Sequence, residues 1–196
     1  MKARRVRGLD PGGPLADQAE RIVRVRLDEL HSFAPCALDP RHGDALHDMR
    51  IAAKRLRYVL EVTGSCFGPY AATATKRARE LQDLLGEIHD CDVMLPRVHE
   101  RLAELGAQDA AELRLLARDA TDLDPALVAG LPNRGSYQGL LVLCAHLQAR
   151  RGLLFERFLE LWSSLARSGF RARLEVAVAE RPAAVDGRSA AGERAA

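Results

Sequence analysis

Five residues between positions 47 and 58 carry side chains that bind anions: cationic groups, an imidazole and a phenol. They are His47, Arg50, Lys54, Arg57 and Tyr58. The stretch contains no Gly or Pro and is rich in Ala, Leu, Lys and Arg, a composition that predicts an α-helix. Because a helix turns by about 100° per residue, all five fall within a sector about 100° wide. The pattern predicts a helix with one face suited to an anion.

The same helix has an apolar face about 120° away from the cations. It consists of Leu46, Met49, Ala53, Leu56 and Leu60, with Val59 at its edge. A run of Lys and Arg is usually a solvated surface, and that alternative stays open. An anion site is favoured for two reasons. The cations are grouped on one side of the helix, and few carboxylates lie at a spacing that could neutralise them, Glu61 for Arg57 being the clearest.

Helix-breaking residues predict the elements that position this face. Asp44 is a candidate N-cap, and the helix should end near residues 63–64. Pro69 opens the next helix, in which Lys76 and Arg79 lie on one side. Because the connection is short, we expect two antiparallel helices, with Lys76 and Arg79 facing the same groove as the first five residues.

Two motifs that follow one another along the chain identify a family. They are His47-x-x-Arg50-x-x-x-Lys54-Arg55-x-Arg57-Tyr58 and Leu81-Gln82-Asp83-Leu84-Leu85-Gly86-Glu87-Ile88-His89-Asp90-x-Asp92-Val93. Together they resemble the CHAD domain, the conserved histidine α-helical domain, over residues 15–174 and most strongly over 45–95. The resemblance implies a helical bundle that binds inorganic polyphosphate through a basic surface and carries no catalytic residue. It also implies polyphosphate-metabolising enzymes as partners.

CHAD domains often contain two pseudo-symmetric halves, each with a histidine helix. The best second copy in this chain contains His146, Arg150 and Arg157, which share a helix face. It lacks a counterpart of the Lys-Arg-x-Arg-Tyr run. We therefore expect a shortened member of the family, in which these three residues contribute to polyphosphate binding and a homodimer supplies the missing half.

Composition predicts an all-α protein, because aromatic residues make up only 5% of the chain while Ala, Leu, Arg and Glu dominate. We expect an antiparallel bundle of about six helices. Residues 1–14 should form a flexible basic arm, residues 15–175 the helical domain and residues 176–196 a disordered tail. Within the domain, Gly86 predicts a kink, Gly106 a helix end before a short helix over 108–118, and Ser136 the cap of a long helix.

Charge and cysteine content limit the class of protein. A net charge of +2 predicts no general affinity for nucleic acid, and Tyr58 is the only aromatic residue among the predicted anion-binding residues that could stack on a base. The four cysteines form no Cys-x-x-Cys pair, and no secretory signal or membrane span is recognisable. We expect a cytoplasmic protein with reduced thiols, no membrane association and polyphosphate granules as one location.

Two alternatives belong to other functional classes. His47-Asp48 and His89-Asp90 are His-Asp pairs of the kind that helical metal phosphohydrolases use, although a wheel places Asp48 about 100° from His47. Asp90 and Asp92 are better explained as capping residues or as carboxylates that orient arginines. A helical scaffold that binds the acidic surface of another protein is the second alternative. No cofactor and no metal ligand is assigned from the sequence.

Overall fold

The computed structural model describes residues 2–118 and 120–181, and this part of the chain is helical without any strand. Its α-helices are α1 (Leu15–Ser32), α2 (Ala34–Ala37), α3 (Gly43–Thr63), α4 (Tyr70–Ala117), α5 (Arg134–Arg167) and α6 (Phe170–Ala179). Short 3₁₀ helices lie at Gly64–Cys66 and Pro125–Gly130. The prediction of an all-α bundle of about six helices is confirmed.

The apolar face of α3 forms the centre of the core. The residues predicted for that face, Leu46, Met49, Ala53, Leu56 and Leu60, are all buried. The helix packs against both α1 and α4. It begins at Gly43, so Asp44 lies in the first turn and is not the N-cap, which is His42. A carboxylate in that turn still interacts favourably with the helix dipole.

The longest element, α4, runs unbroken for 48 residues. The helix is therefore not interrupted at Gly86, and the predicted end at Gly106 and the separate helix over 108–118 are wrong, while the kink at Gly86 stays a prediction. Each glycine costs the helix only about 1 kcal/mol relative to Ala. Burial of α4 residues from Ala71 to Asp109, in a helix that packs against α3, α5 and α6, outweighs that cost.

A buried carboxylate holds the start of α5 against α4. Asp109 is 4% exposed and accepts hydrogen bonds from Asn133 Nδ2 at 2.8 Å and from the Tyr137 hydroxyl at 2.9 Å. Asn133 is the N-cap residue of α5, so the prediction that Ser136 caps this helix is wrong. The contact joins residues 24 and 28 positions apart, which no local pattern shows.

The last helix extends the folded domain beyond residue 175. Ala177 and Val178 of α6 are buried, and the Arg181 guanidinium binds Asp17 at 2.7 Å and Glu20 at 2.8 Å. The boundary predicted at residue 175 is therefore too early. The rest of the predicted tail, from residue 182, lies outside the described residues.

Residues 2–14 precede α1 without helical structure. The backbone N–H of Arg4 donates to Glu29 Oε1 at 3.1 Å, and that of Asp10 donates to Gln18 Oε1 at 2.9 Å. The flexibility of this arm stays a prediction. Across the described residues, no helix has both the length and the apolar character needed to cross a membrane.

We predict that Asp109→Ala destabilises the protein by about 1–3 kcal/mol, because it removes two hydrogen bonds that the partly buried Asn133 and Tyr137 donate to a charged acceptor. Urea denaturation measures the change. Glu112→Ala, at an exposed position one turn along α4, is the matched control and should change the free energy of unfolding little. Equal effects of the two substitutions would contradict this role of Asp109.

Candidate anion-binding site

The sequence-predicted residues of α3 lie along one side of a single helix. We call His47, Arg50, Lys54, Arg57 and Tyr58 the basic stripe. The first four are partly exposed, and Tyr58 is exposed. The opposite side of the helix is in the core, so the packing of α3 directs the stripe toward the surface.

Side-chain contacts join α3 to α4 at three levels. They pair His47 with His89, Arg57 with Gln82, and Glu61 with Arg79. Residue numbers rise along α3 as they fall along α4, which confirms that the two helices are antiparallel neighbours. The basic stripe of α3 and the α4 residues Arg79, Gln82 and His89 line what we call the α3–α4 groove.

Glu61 binds two of the predicted cations. Its Oε1 accepts from Arg57 Nη1 at 2.8 Å and from Arg79 Nη2 at 2.6 Å, and the pKa of the Glu61 carboxyl is lowered by Arg79 and then by Arg57. Arg57 Nε also donates to Gln82 Oε1 at 2.9 Å. The expected pair of Glu61 with Arg57 forms. Glu61 also neutralises Arg79, which a local pattern could not predict because the two residues are 18 positions apart in the sequence.

Arg50 and Lys54 have no ion pair with any residue in the part of the chain that the structure describes. The Nε atom of Arg50 is buried and has no hydrogen-bond partner there. The Lys54 ammonium lies 5.6 Å from the centroid of the Tyr58 ring, and Arg57 Cζ lies 4.4 Å from it. Tyr58 therefore holds two cations by cation–π contact, and Arg50 and Lys54 keep charge that a ligand can neutralise.

Two imidazoles meet at one end of the groove. The Nδ1 atoms of His47 and His89 are 3.3 Å apart, and the ring centroids are 4.5 Å apart. Burial lowers the pKa of His47, and the proximity of His89 and Arg50 lowers it further. The His47 ring is therefore less readily protonated than a free imidazole. An anion in the groove would act in the opposite direction.

The residues predicted on α5 are not part of this groove. Arg150 donates to Glu87 Oε2 at 2.5 Å and contacts Cys91 Sγ at 3.7 Å. On α4, Glu87 lies roughly 140° from Gln82, on another side of the helix. His146 and Arg157 are exposed and share the Arg150 side of α5.

Lys76 lies at the outer side of α4. It is exposed and is one turn away from Arg79, turned by about 60° on the helix wheel. Arg79 contacts Glu61 of α3, whereas Lys76 is exposed and has no ion pair with α3 among the described residues. The expectation that both face the groove is met for Arg79 alone.

Asp92 acts as a structural carboxylate. It accepts a hydrogen bond from Arg151 of α5, whose Nη2 also donates to the Pro40 carbonyl at 3.0 Å. This agrees with the interpretation that it orients an arginine. Among residues 2–118 and 120–181, no three or more His, Cys, Asp or Glu side chains are grouped to hold a metal ion.

Gln82 and His89 are site residues that the sequence did not assign. Both lie in the second motif, and a separation of seven residues places them within about 20° on a helix wheel. That spacing indicates that Gln82 and His89 lie on the same face of α4. It could not show that the face meets the basic stripe, because that depends on the rotation of α4 against α3.

The fold and the site define a helical domain with a basic groove between two antiparallel helices. The CHAD domain family model matches residues 2–99, which is half of the chain and includes α1 to α3 and the groove-forming part of α4. The chain belongs to the CHAD domain family. Comparison with curated proteins and with solved structures found no match.

We predict that NMR titration of the free protein gives His47 a pKa below its ordinary value of 6.5. Because folding lowers this pKa, the stability that depends on neutral His47 is complete above pH 6.5 and declines as the pH falls toward the folded-state pKa. His89→Gln should raise the His47 pKa toward 6.5. A His47 pKa at or above 6.5 in the wild type would contradict the described environment.

Proposed function

We propose that this protein binds inorganic polyphosphate, or a similar linear polyanion, in the α3–α4 groove without catalysing a reaction on it. Membership of the CHAD domain family supports the ligand class, since the family is associated with polyphosphate binding in general. The observation that carries the location is the pair of cations without carboxylate partners, Arg50 and Lys54, in the middle of a groove between two helices.

Charge along the groove supports a linear ligand. Four permanent cations, Arg50, Lys54, Arg57 and Arg79, outnumber the carboxylates that act on them, since Glu61 pairs with Arg57 and Arg79 and the charge of Asp83 acts on Arg79. Arg50 and Lys54 are one turn apart, a rise of about 6 Å. A polyanion lying parallel to the helices therefore meets cations at successive levels. Arginine contributes forked hydrogen bonds to phosphate oxygens, and lysine contributes a mobile point charge.

The contacts of the Tyr58 ring favour polyphosphate over single-stranded nucleic acid as the ligand. Proteins that bind single strands stack bases on aromatic side chains. The ring of Tyr58 already lies against Arg57 and Lys54. A base that stacked on this ring would compete with the cations for contact with it.

We predict that Arg50→Gln with Lys54→Gln weakens polyphosphate binding by about 100-fold, because two charge-assisted hydrogen bonds are lost. The slope of log affinity against log salt should fall in magnitude by about two. Calorimetric titration at two salt concentrations measures both quantities.

The matched control for this double variant removes the same charge elsewhere. Arg101 and Arg114 are exposed on the part of α4 that extends beyond the start of α3. Arg101→Gln with Arg114→Gln should bind polyphosphate nearly as tightly as the wild type. Equal losses in the two double variants would indicate attraction by net charge alone and would refute the groove as the site.

We predict that Glu61→Gln tightens polyphosphate binding several-fold, because the carboxylate competes with the ligand for Arg57 and Arg79. Glutamine keeps an acceptor oxygen for the two guanidinium groups. Glu80→Gln is the control, since Glu80 pairs with Arg77 at 2.7 Å on the exposed side of α4. Weaker binding by the Glu61 variant would contradict the assignment of Glu61 as a competitor.

Expectations about partner proteins, cellular location and oligomeric state stay part of the proposal. The partners would be polyphosphate-metabolising enzymes, the location the cytoplasm at polyphosphate granules, and the oligomer a homodimer. The exposed apolar side chains near the start of α5, Leu141 and Val142, support self-association. Light scattering of the purified protein tests the oligomeric state directly.

A further inference from the structure

Gly86 lies in the middle of α4, where glycine is the least favourable residue other than proline. Its φ is not among the positive values of this chain, so any L-residue fits its backbone conformation. A Cβ atom built at this position has no neighbouring atom within 4 Å. Neither backbone conformation nor packing requires a glycine at this position, and the space beside it is open.

The open space belongs to the α3–α4 groove. On the α4 wheel Gly86 lies about 40° from Gln82, about 60° from His89 and about 20° from Arg79, the groove-lining residues of this helix. Gly86 is also between the levels at which His89 contacts His47 and Gln82 contacts Arg57. The α3 residues at the intervening level are Arg50 and Lys54.

Arg50 and Lys54, the groove cations without an ion pair to any described residue, are thus opposite the one groove position of α4 that has no side chain. Arg50 also brings a buried Nε without a hydrogen-bond partner to this level. Every other residue of the α4 wall, Arg79, Gln82 and His89, places a polar side chain in the groove. The combination is an opening beside two groove cations that have no ion pair in the described chain, with the exposed carboxylates Asp83 and Asp90 within about 60° of Gly86 on the α4 wheel.

We propose that a phosphate group of the bound polyanion lies over Gly86, between Arg50 and Lys54, and that the absence of a side chain at position 86 lets it reach both cations. The inference rests on the proposed function and adds the position along the groove at which a phosphate group is bound. The backbone N–H groups at mid-helix are already used by the helix, so Gly86 contributes room and no hydrogen bond. A side chain at this position would hold the phosphate away from the Arg50 guanidinium.

The test is a size series at position 86, with inorganic polyphosphate of one defined chain length as the probe. Gly86→Ala should weaken binding by a factor of a few, and Gly86→Leu by about tenfold or more, comparable to losing one charge-assisted hydrogen bond. Alanine is the stronger helix former, so Gly86→Ala should also raise the melting temperature. Weaker binding by a more stable protein separates occlusion of the groove from loss of folding.

Gly106 provides the matched control. It lies in the interior of the same helix, 20 residues from Gly86, and a Cβ atom there also meets nothing within 4 Å. Gly106→Ala and Gly106→Leu should leave polyphosphate affinity unchanged, and the alanine variant should raise the melting temperature as Gly86→Ala does.

The outcomes distinguish this inference from the proposed function. Wild-type binding with a graded loss at position 86 and none at 106 supports it. Wild-type affinity in Gly86→Leu, while Arg50→Gln with Lys54→Gln still weakens binding strongly, would overturn the position of the phosphate and leave the groove as the site. Absence of binding by the wild type would overturn the proposed function itself.

Discussion

The antiparallel packing of α3 on α4 is the constraint on which the rest of the structure depends. Leu46, Met49, Leu56 and Leu60 of α3 are buried, and full burial of such a side chain is worth about 1.5–3 kcal/mol. An exposed ion pair is worth about 0–1 kcal/mol. Apolar packing therefore decides the rotation of α3, and the contacts of Glu61 with its two arginines follow from that rotation.

The same packing divides the arginines into two groups. Arg26 and Arg55 bind the buried carboxylate of Glu29, at 2.6 and 3.0 Å, and Arg151 binds Asp92. These pairs hold elements together. Arg50 and Lys54 contact no carboxylate in the described chain. A protein with a net charge of only +2 can therefore still have a positive groove, because two cations there have no carboxylate partner among the described residues.

The two halves of the chain differ in what they contribute. The family model matches residues 2–99, and the groove lies entirely within that part. The second half contributes the continuation of α4 and the packing of α5 and α6. Its arginines at 150 and 151 bind Glu87 and Asp92 of α4. In the described structure α5 therefore supports α4 and does not form a second copy of the groove.

Local residue patterns are sufficient to predict an all-α chain, the extent of α3, and the separation of its cationic and apolar faces. These follow from helix propensity and from a period of about 3.6 residues, both of which act within a few turns. Three features are visible only once the helices are packed: α4 continues through Gly86 and Gly106, Glu61 binds Arg79 as well as Arg57, and the α5 cations lie outside the groove. Each of these depends on contacts between residues far apart in the chain, where the rotation and level of one helix against another determine which side chains meet.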